Sequence, residues 1–241
     1  MRPIGLNYPP NPDYGDGACR RSVRLDFTPG QVLAHLYDSF HEMTCILQHD
    51  GKVVTGLESR PIRVPTTACG LAGGQLQPYV GLSIGTPPGH FYHQGEPLRH
   101  CTHLLDLFVM ALRHADRSHG SLRWDAIVPD ETDAPVTASV SRDGRAVHAW
   151  LIRDGQILAP GSLAGRTLDK GFATWAVQTF NEDDFETAMV LARTWLIALG
   201  RRYATKHVAG RPVSINPAMK GRCFAFNAPQ FENAIYLQNE L

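Results

Sequence analysis

Residues 136–158, VTASVSRDGRAVHAWLIRDGQIL, decide the fold. Two Asp-Gly pairs, Asp143-Gly144 and Asp154-Gly155, lie between short runs that predict strands over 136–141, 146–153 and 156–158. Asp-Gly suits a two-residue hairpin because both positions tolerate positive φ, which matches the right-handed twist of the flanking strands. With a further strand predicted over 125–128, this half of the chain reads as an antiparallel meander.

Working outward, the sequence changes period. Asn181 is a natural N-cap, and Glu182, Asp183 and Asp184 suit the positive end of a helix. Phe185, Ala188, Ala192, Trp195 and Leu199 then recur at helical spacing, which predicts a scaffold helix over 182–203. A second helix is predicted over 98–115, with Leu98, Cys101, Leu105, Phe108 and Leu112 on one face. A weaker helix over 66–82 starts at Thr66 or Thr67 and is diluted by Gly70, Gly73 and Gly74.

Toward the N-terminus, residues 22–27 alternate with period two. Residues 32–48 read as one long strand bulged near Asp38-Ser39, and Asp50-Gly51 turns the chain into a return strand. A last short strand is predicted over 223–226. Strand runs and helix runs are segregated, so the expected class is α+β: an antiparallel sheet built from hairpins, packed with a few helices. Residues 1–19, rich in Pro, Gly, Asn and Asp, are expected to form an irregular arm, and 20–241 a single domain.

The chain of 241 residues is 43% apolar and 19% charged, with 23 basic and 23 acidic side chains. A balanced charge gives no field to attract nucleic acid or an anionic membrane. The N-terminus lacks the apolar core of a signal peptide, and no run approaches the roughly 20 residues that span a bilayer. A cytoplasmic protein is expected, with homo-oligomerisation left open. Five scattered cysteines are not a disulfide framework, so packing, ligation or catalysis is their expected use.

Four segments carry chemistry. Asp38-Ser39-Phe40-His41-Glu42 sets carboxylates beside an imidazole, which they can orient as a base. Cys69 follows Pro65-Thr66-Thr67-Ala68; near a helix N-terminus its thiol would be more acidic than usual. His100-Cys101-Thr102-His103 opens a helix, with Asp106 one turn on from His103. If fully helical, that segment turns Cys101 away from His103, and one metal ion can take both only if it is still a loop. Gly89-His90-Phe91-Tyr92-His93 is an aromatic loop able to stack on a ligand ring. His41, Cys69, Cys101 and His103 are expected to line one site.

The strings Phe40-His41-Glu42-Met43, Pro65-Thr66-Thr67-Ala68-Cys69 and Cys101-Thr102-His103-Leu104-Leu105-Asp106 occur in this order, followed by Gly221-Arg222-Cys223-Phe224. Together they resemble a bacterial family catalogued as a domain of unknown function. Its members are associated with catabolism of aromatic compounds, including lignin-derived dimers, and a carbon–carbon lyase that releases formaldehyde from such dimers is similar.

The family has no settled activity; with the aromatic substrate class that the resemblance implies, the favoured reading is a cofactor-independent lyase. His41 and His103 are then the acid/base pair, with Asp106 or Asp38 orienting one of them. Tyr92 bonds the phenolic oxygen, and Asp38, Cys69, Cys101 and His93 shape the pocket. One alternative is a zinc hydrolase or lyase with His41, Cys69, Cys101 and His103 as ligands. Another is a non-catalytic binding protein for aromatic or steroid-like ligands.

Overall fold

A computed structural model describes residues 7–92 and 99–238. Eight strands form one sheet in the order β4-β3-β2-β1-β5-β6-β7-β8. They are β1 (Ala18–Thr28), β2 (Gln31–Asp38), β3 (Glu42–His49), β4 (Val54–Arg63), β5 (Ser121–Pro129), β6 (Val136–Arg142), β7 (Arg145–Arg153) and β8 (Gln156–Ala159). The hairpin ladders β2–β3, β3–β4, β5–β6, β6–β7 and β7–β8 are antiparallel. The class is therefore α+β, as the segregation of strand and helix runs predicts. The main helices are α1 (Gly89–Tyr92), α2 (Thr102–Arg113), α3 (Phe172–Thr179) and α4 (Glu182–Ala198). Among the described residues, no helix is long and apolar enough to cross a membrane.

The chain divides into two compact units. Pro9–Val23 with Leu122–Thr205 form the first, and Arg24–Ser121 with residues 7–8 and 206–238 form the second.

In the first unit, both Asp-Gly pairs make the hairpins they encode. Asp143 and Asp154 take positive φ (48° and 51°), a conformation that short polar side chains tolerate better than most. Helix α4 starts at Asn181, whose side chain accepts from Asp184 N at 3.0 Å. It buries Phe185, Ala188, Ala192 and Trp195, and its last turn tightens to a 3-10 segment, Leu199–Arg202. The Trp124 indole donates to Thr187 Oγ1 at 3.1 Å, so the polar edge of a buried ring is satisfied. Gly155, at φ +77°, lies where any Cβ would run into the Trp195 ring.

The same unit holds a buried ion pair. Asp130 takes two hydrogen bonds from Arg201, at 2.7 and 2.9 Å, and one each from the N–H groups of Gly15 (3.2 Å) and Gly17 (3.1 Å). A Cβ on Gly17 would collide with the Arg201 guanidinium. Burial pushes the Asp130 carboxyl up, but Arg201 and the two N–H groups outweigh it and hold the group below its ordinary value.

In the second unit, α2 packs on β2 and β3. Val32, Ala34 and Leu36 alternate inward from β2, and Met43, Cys45 and Leu47 from β3. They meet Leu104, Leu105, Leu107, Phe108, Ala111 and Leu112, all buried. Each fully buried leucine or phenylalanine of this layer contributes about 1.5–3 kcal/mol.

Three local expectations are corrected in this unit. Residues 32–48 are two strands joined by a tight turn, not one bulged strand. The segment after Pro65 is a 3-10 helix, Thr67–Tyr79, whose glycines and Pro78 do not sustain an α-helix. Residues 224–226 also form a 3-10 turn; Phe224, Ala225 and Phe226 are all buried, which the alternating faces of a half-exposed strand do not allow.

Candidate functional site

The site begins at the β2–β3 turn, Asp38-Ser39-Phe40-His41. Asp38 N donates to His41 O at 2.8 Å, which closes the turn. Asp38 Oδ1 accepts from Phe40 N and His41 N, both at 2.9 Å, so the carboxylate supplies the cap that this sequence, without glycine or proline, lacks. The same oxygen lies 3.0 Å from His41 Nδ1. An oxygen that already accepts two N–H groups suits an imidazole proton on Nδ1, which leaves the lone pair on Nε2.

Arg63, at the end of β4, closes the turn from the other side. Its guanidinium donates to the carbonyls of Asp38, Ser39 (2.9 Å) and His41 (3.3 Å), and lies over the Tyr37 ring at 5.1 Å. The other acidic neighbour, Glu42, reaches His35 Nε2 at 3.3 Å. The sequence reading missed Arg63, because nothing in its local sequence marks a residue whose partners are backbone carbonyls of a distant turn.

The second part of the site is the start of α2. Cys101 is its N-cap, extended at φ −66° and ψ 115°, and the helix proper begins at Thr102. Cys101 and His103 therefore do not follow helical geometry relative to each other, and Cys101 Sγ lies 3.9 Å from His103 Nδ1. The His103 ring stacks on His41, with centroids 4.1 Å apart and planes at 30°. Asp38, His41 and His103 each offer an atom such that all three atoms lie within 4.8 Å of one another. Asp38 and His41 are buried and His103 is half-buried.

The remaining predicted residues have other partners. The Tyr92 hydroxyl donates to Asp106 Oδ1 at 2.8 Å. His100 belongs to an aromatic group: Tyr79 Oη is 3.0 Å from its Nε2 and the two rings stack, while Tyr79 also stacks on Phe108 and meets Phe91 edge-on. Cys69 Sγ lies 3.2 Å from Thr66 Oγ1. His93 falls outside the described residues.

The thiols are not acidic. Burial pushes Cys69 up, against the expectation of a thiolate favoured by a helix end, and it pushes Cys223 up to about 12. Cys101 is raised as well, first by burial and then by the Cys223 and Cys69 thiols. These thiols are protonated at neutral pH. No protein-family model and no curated protein sequence matches the chain.

Proposed function

We propose that this chain is an enzyme that performs acid/base chemistry on a small aromatic molecule, and that its reaction is a carbon–carbon cleavage releasing formaldehyde. The observation that supports the reading is the Asp38–His41 dyad stacked on His103. Two imidazoles side by side, one with its tautomer set by a buried carboxylate, provide a base and an acid near neutral pH. The substrate class comes from the resemblance of the Cys101-Thr102-His103-Leu104 segment to a family of unknown function whose members are associated with aromatic catabolism.

In this reaction His41 Nε2 removes the proton of a hydroxymethyl group. The carbon–oxygen bond becomes the double bond of formaldehyde. The electron pair of the broken carbon–carbon bond forms a new carbon–carbon double bond, and the adjacent aryl-ether oxygen leaves as phenoxide. His103, as imidazolium, protonates that oxygen. One proton enters the pair and one leaves it, so the pair holds a single positive charge before and after, and no co-reactant is consumed. Asp38 holds the His41 ring and stabilises the cation formed there. The Tyr92 hydroxyl, which donates to Asp106, is the group that meets the phenolic oxygen of the substrate in this reading.

The test is to incubate the purified protein with phenolic dimers bearing a hydroxymethyl side chain. Formaldehyde is trapped and the aromatic product separated by chromatography. One formaldehyde per alkene-containing product is expected, and no formaldehyde from any such dimer rejects the reading.

A further inference from the structure

We infer that Asp38, His41 and His103 form a binding site for one divalent transition-metal ion of the zinc class. This inference uses the same side chains as the lyase reading but does not rest on that reading: an ion on Asp38 Oδ1 and His41 Nδ1 displaces the proton shared there, and a ligated His103 is no imidazolium, so the lyase chemistry belongs to the metal-free form. Among the described residues they are the group of three His, Cys, Asp or Glu side chains whose donor atoms converge. Two imidazoles and one carboxylate are a donor set suited to zinc, iron or manganese.

The spacing is close to what an ion requires. Metal–ligand bonds of about 2.0–2.2 Å put neighbouring donors of one ion roughly 3.0–3.5 Å apart. The 3.0 Å between Asp38 Oδ1 and His41 Nδ1 is a hydrogen bond in this structure and is also the separation of two donors on one ion. The third donor, from His103, lies within 4.8 Å of both, so a closure of under about 2 Å by one half-buried ring completes the set.

The surroundings fit a metal centre as well. Asp38 has a fully buried side chain held by two backbone N–H groups, so the carboxylate is fixed before any ion arrives. Arg63 fixes the backbone of the turn through its carbonyls. Cys101 Sγ, 3.9 Å from His103 Nδ1, adds a soft donor beside the set, which favours zinc over magnesium or calcium. The ligand set differs from the one expected on sequence: Asp38 joins His41 and His103, while Cys69, whose sulfur is engaged by Thr66, and Cys101 are not among the three converging donors.

The experiment is metal uptake by the purified full chain, stripped with a chelator and read without substrate. Zinc is titrated in competition with a chromogenic chelator, and cobalt(II) is added separately for its visible absorption. One equivalent of zinc is expected, and a cobalt spectrum that His103→Gln abolishes. The loss of zinc affinity in His103→Gln should exceed the about 10–100-fold typical of removing an outer-shell partner. His103 is half-buried, so this variant should keep the parent melting temperature; if it does not, His41→Gln decides, since loss of its cobalt spectrum supports the site and a parent-like spectrum overturns it. Uptake no greater than that of an Asp38→Asn, His103→Gln double variant overturns the inference. Metal uptake without formaldehyde release from any dimer rejects the lyase reading alone, and formaldehyde release without uptake rejects this site alone.

Discussion

The imidazoles of His41 and His103 stack at 4.1 Å although one is carried by a strand-to-strand turn and the other by the first turn of α2. Neither element fixes this contact by itself. The turn is shaped by Asp38 and Arg63, and α2 is placed by the leucines and phenylalanine that seat it on β2 and β3. If His103 is the acid of the proposed reaction, His103→Gln should fold normally and lose a factor of about 10²–10⁴ in formaldehyde release. Wild-type turnover in this variant, measured at saturating dimer, removes His103 from the mechanism.

Asp38→Asn tests the tautomer argument. The amide can still cap the turn through its oxygen, but it no longer offers a charged acceptor to His41 Nδ1. A loss of turnover within the same range of about 10²–10⁴ is expected, with a changed pH profile. A variant that only melts earlier while keeping the parent profile points to a structural role for the carboxylate.

Arg63→Ala removes a charged donor from three carbonyls of the turn. Hydrogen bonds to charged groups contribute roughly 1.5–3 kcal/mol, so a destabilisation of that order is expected in urea unfolding. Arg63→Lys should recover only part of it, because a point charge does not replace a planar fork.

The Asp130–Arg201 pair predicts a pH dependence. The Asp130 carboxyl is held below its ordinary value when folded. Its stabilisation is therefore fully present above the unfolded carboxylate pKa of about 3.9 and is lost as pH falls below that through the folded value. Arg201→Ala leaves the carboxylate buried without its partner and should cost about 3–5 kcal/mol near neutral pH. Equal stability of variant and parent at pH 7, with a difference only in strong acid, contradicts this account. Gly17→Ala should also destabilise, because its Cβ displaces the Arg201 guanidinium.

Trp195→Ala should cost about 3–5 kcal/mol and leave the specific activity of the folded fraction unchanged, since α4 serves as scaffold. Thermal and urea unfolding check the first part, and turnover per folded molecule the second. Loss of turnover with an unchanged melting temperature refutes the scaffold role.

How far the sequence could be read depended on where the determining contacts lie. The β6–β7–β8 meander and α4 were legible because Asp143-Gly144, Asp154-Gly155 and the Asn181 cap act on residues next to them. The β2–β3 turn was not, since its four residues carry no glycine or proline and are held by the Asp38 side chain and by Arg63. Likewise, the true start of α2 depends on Cys101 being extended, and Phe224 N bonds to the neighbouring His100 O, a partner no local pattern announces. Within the site, His41, Cys101 and His103 were recognisable as residue types. That Asp38 and not Asp106 bonds His41 follows from the fold of the turn.

The Asp38–His41 turn also bears on exchange with solvent. Hairpin tips are ordinarily where amide hydrogens exchange first. In this tip the N–H groups of Asp38, Phe40 and His41 are all bound, one to a carbonyl and two to a buried carboxylate. Deuterium should therefore enter these amides on the timescale of the adjoining strands, and only when the hairpin as a whole opens. A tip held in this way keeps His41 in one orientation before any ligand arrives, so little conformational entropy is lost at this residue on binding.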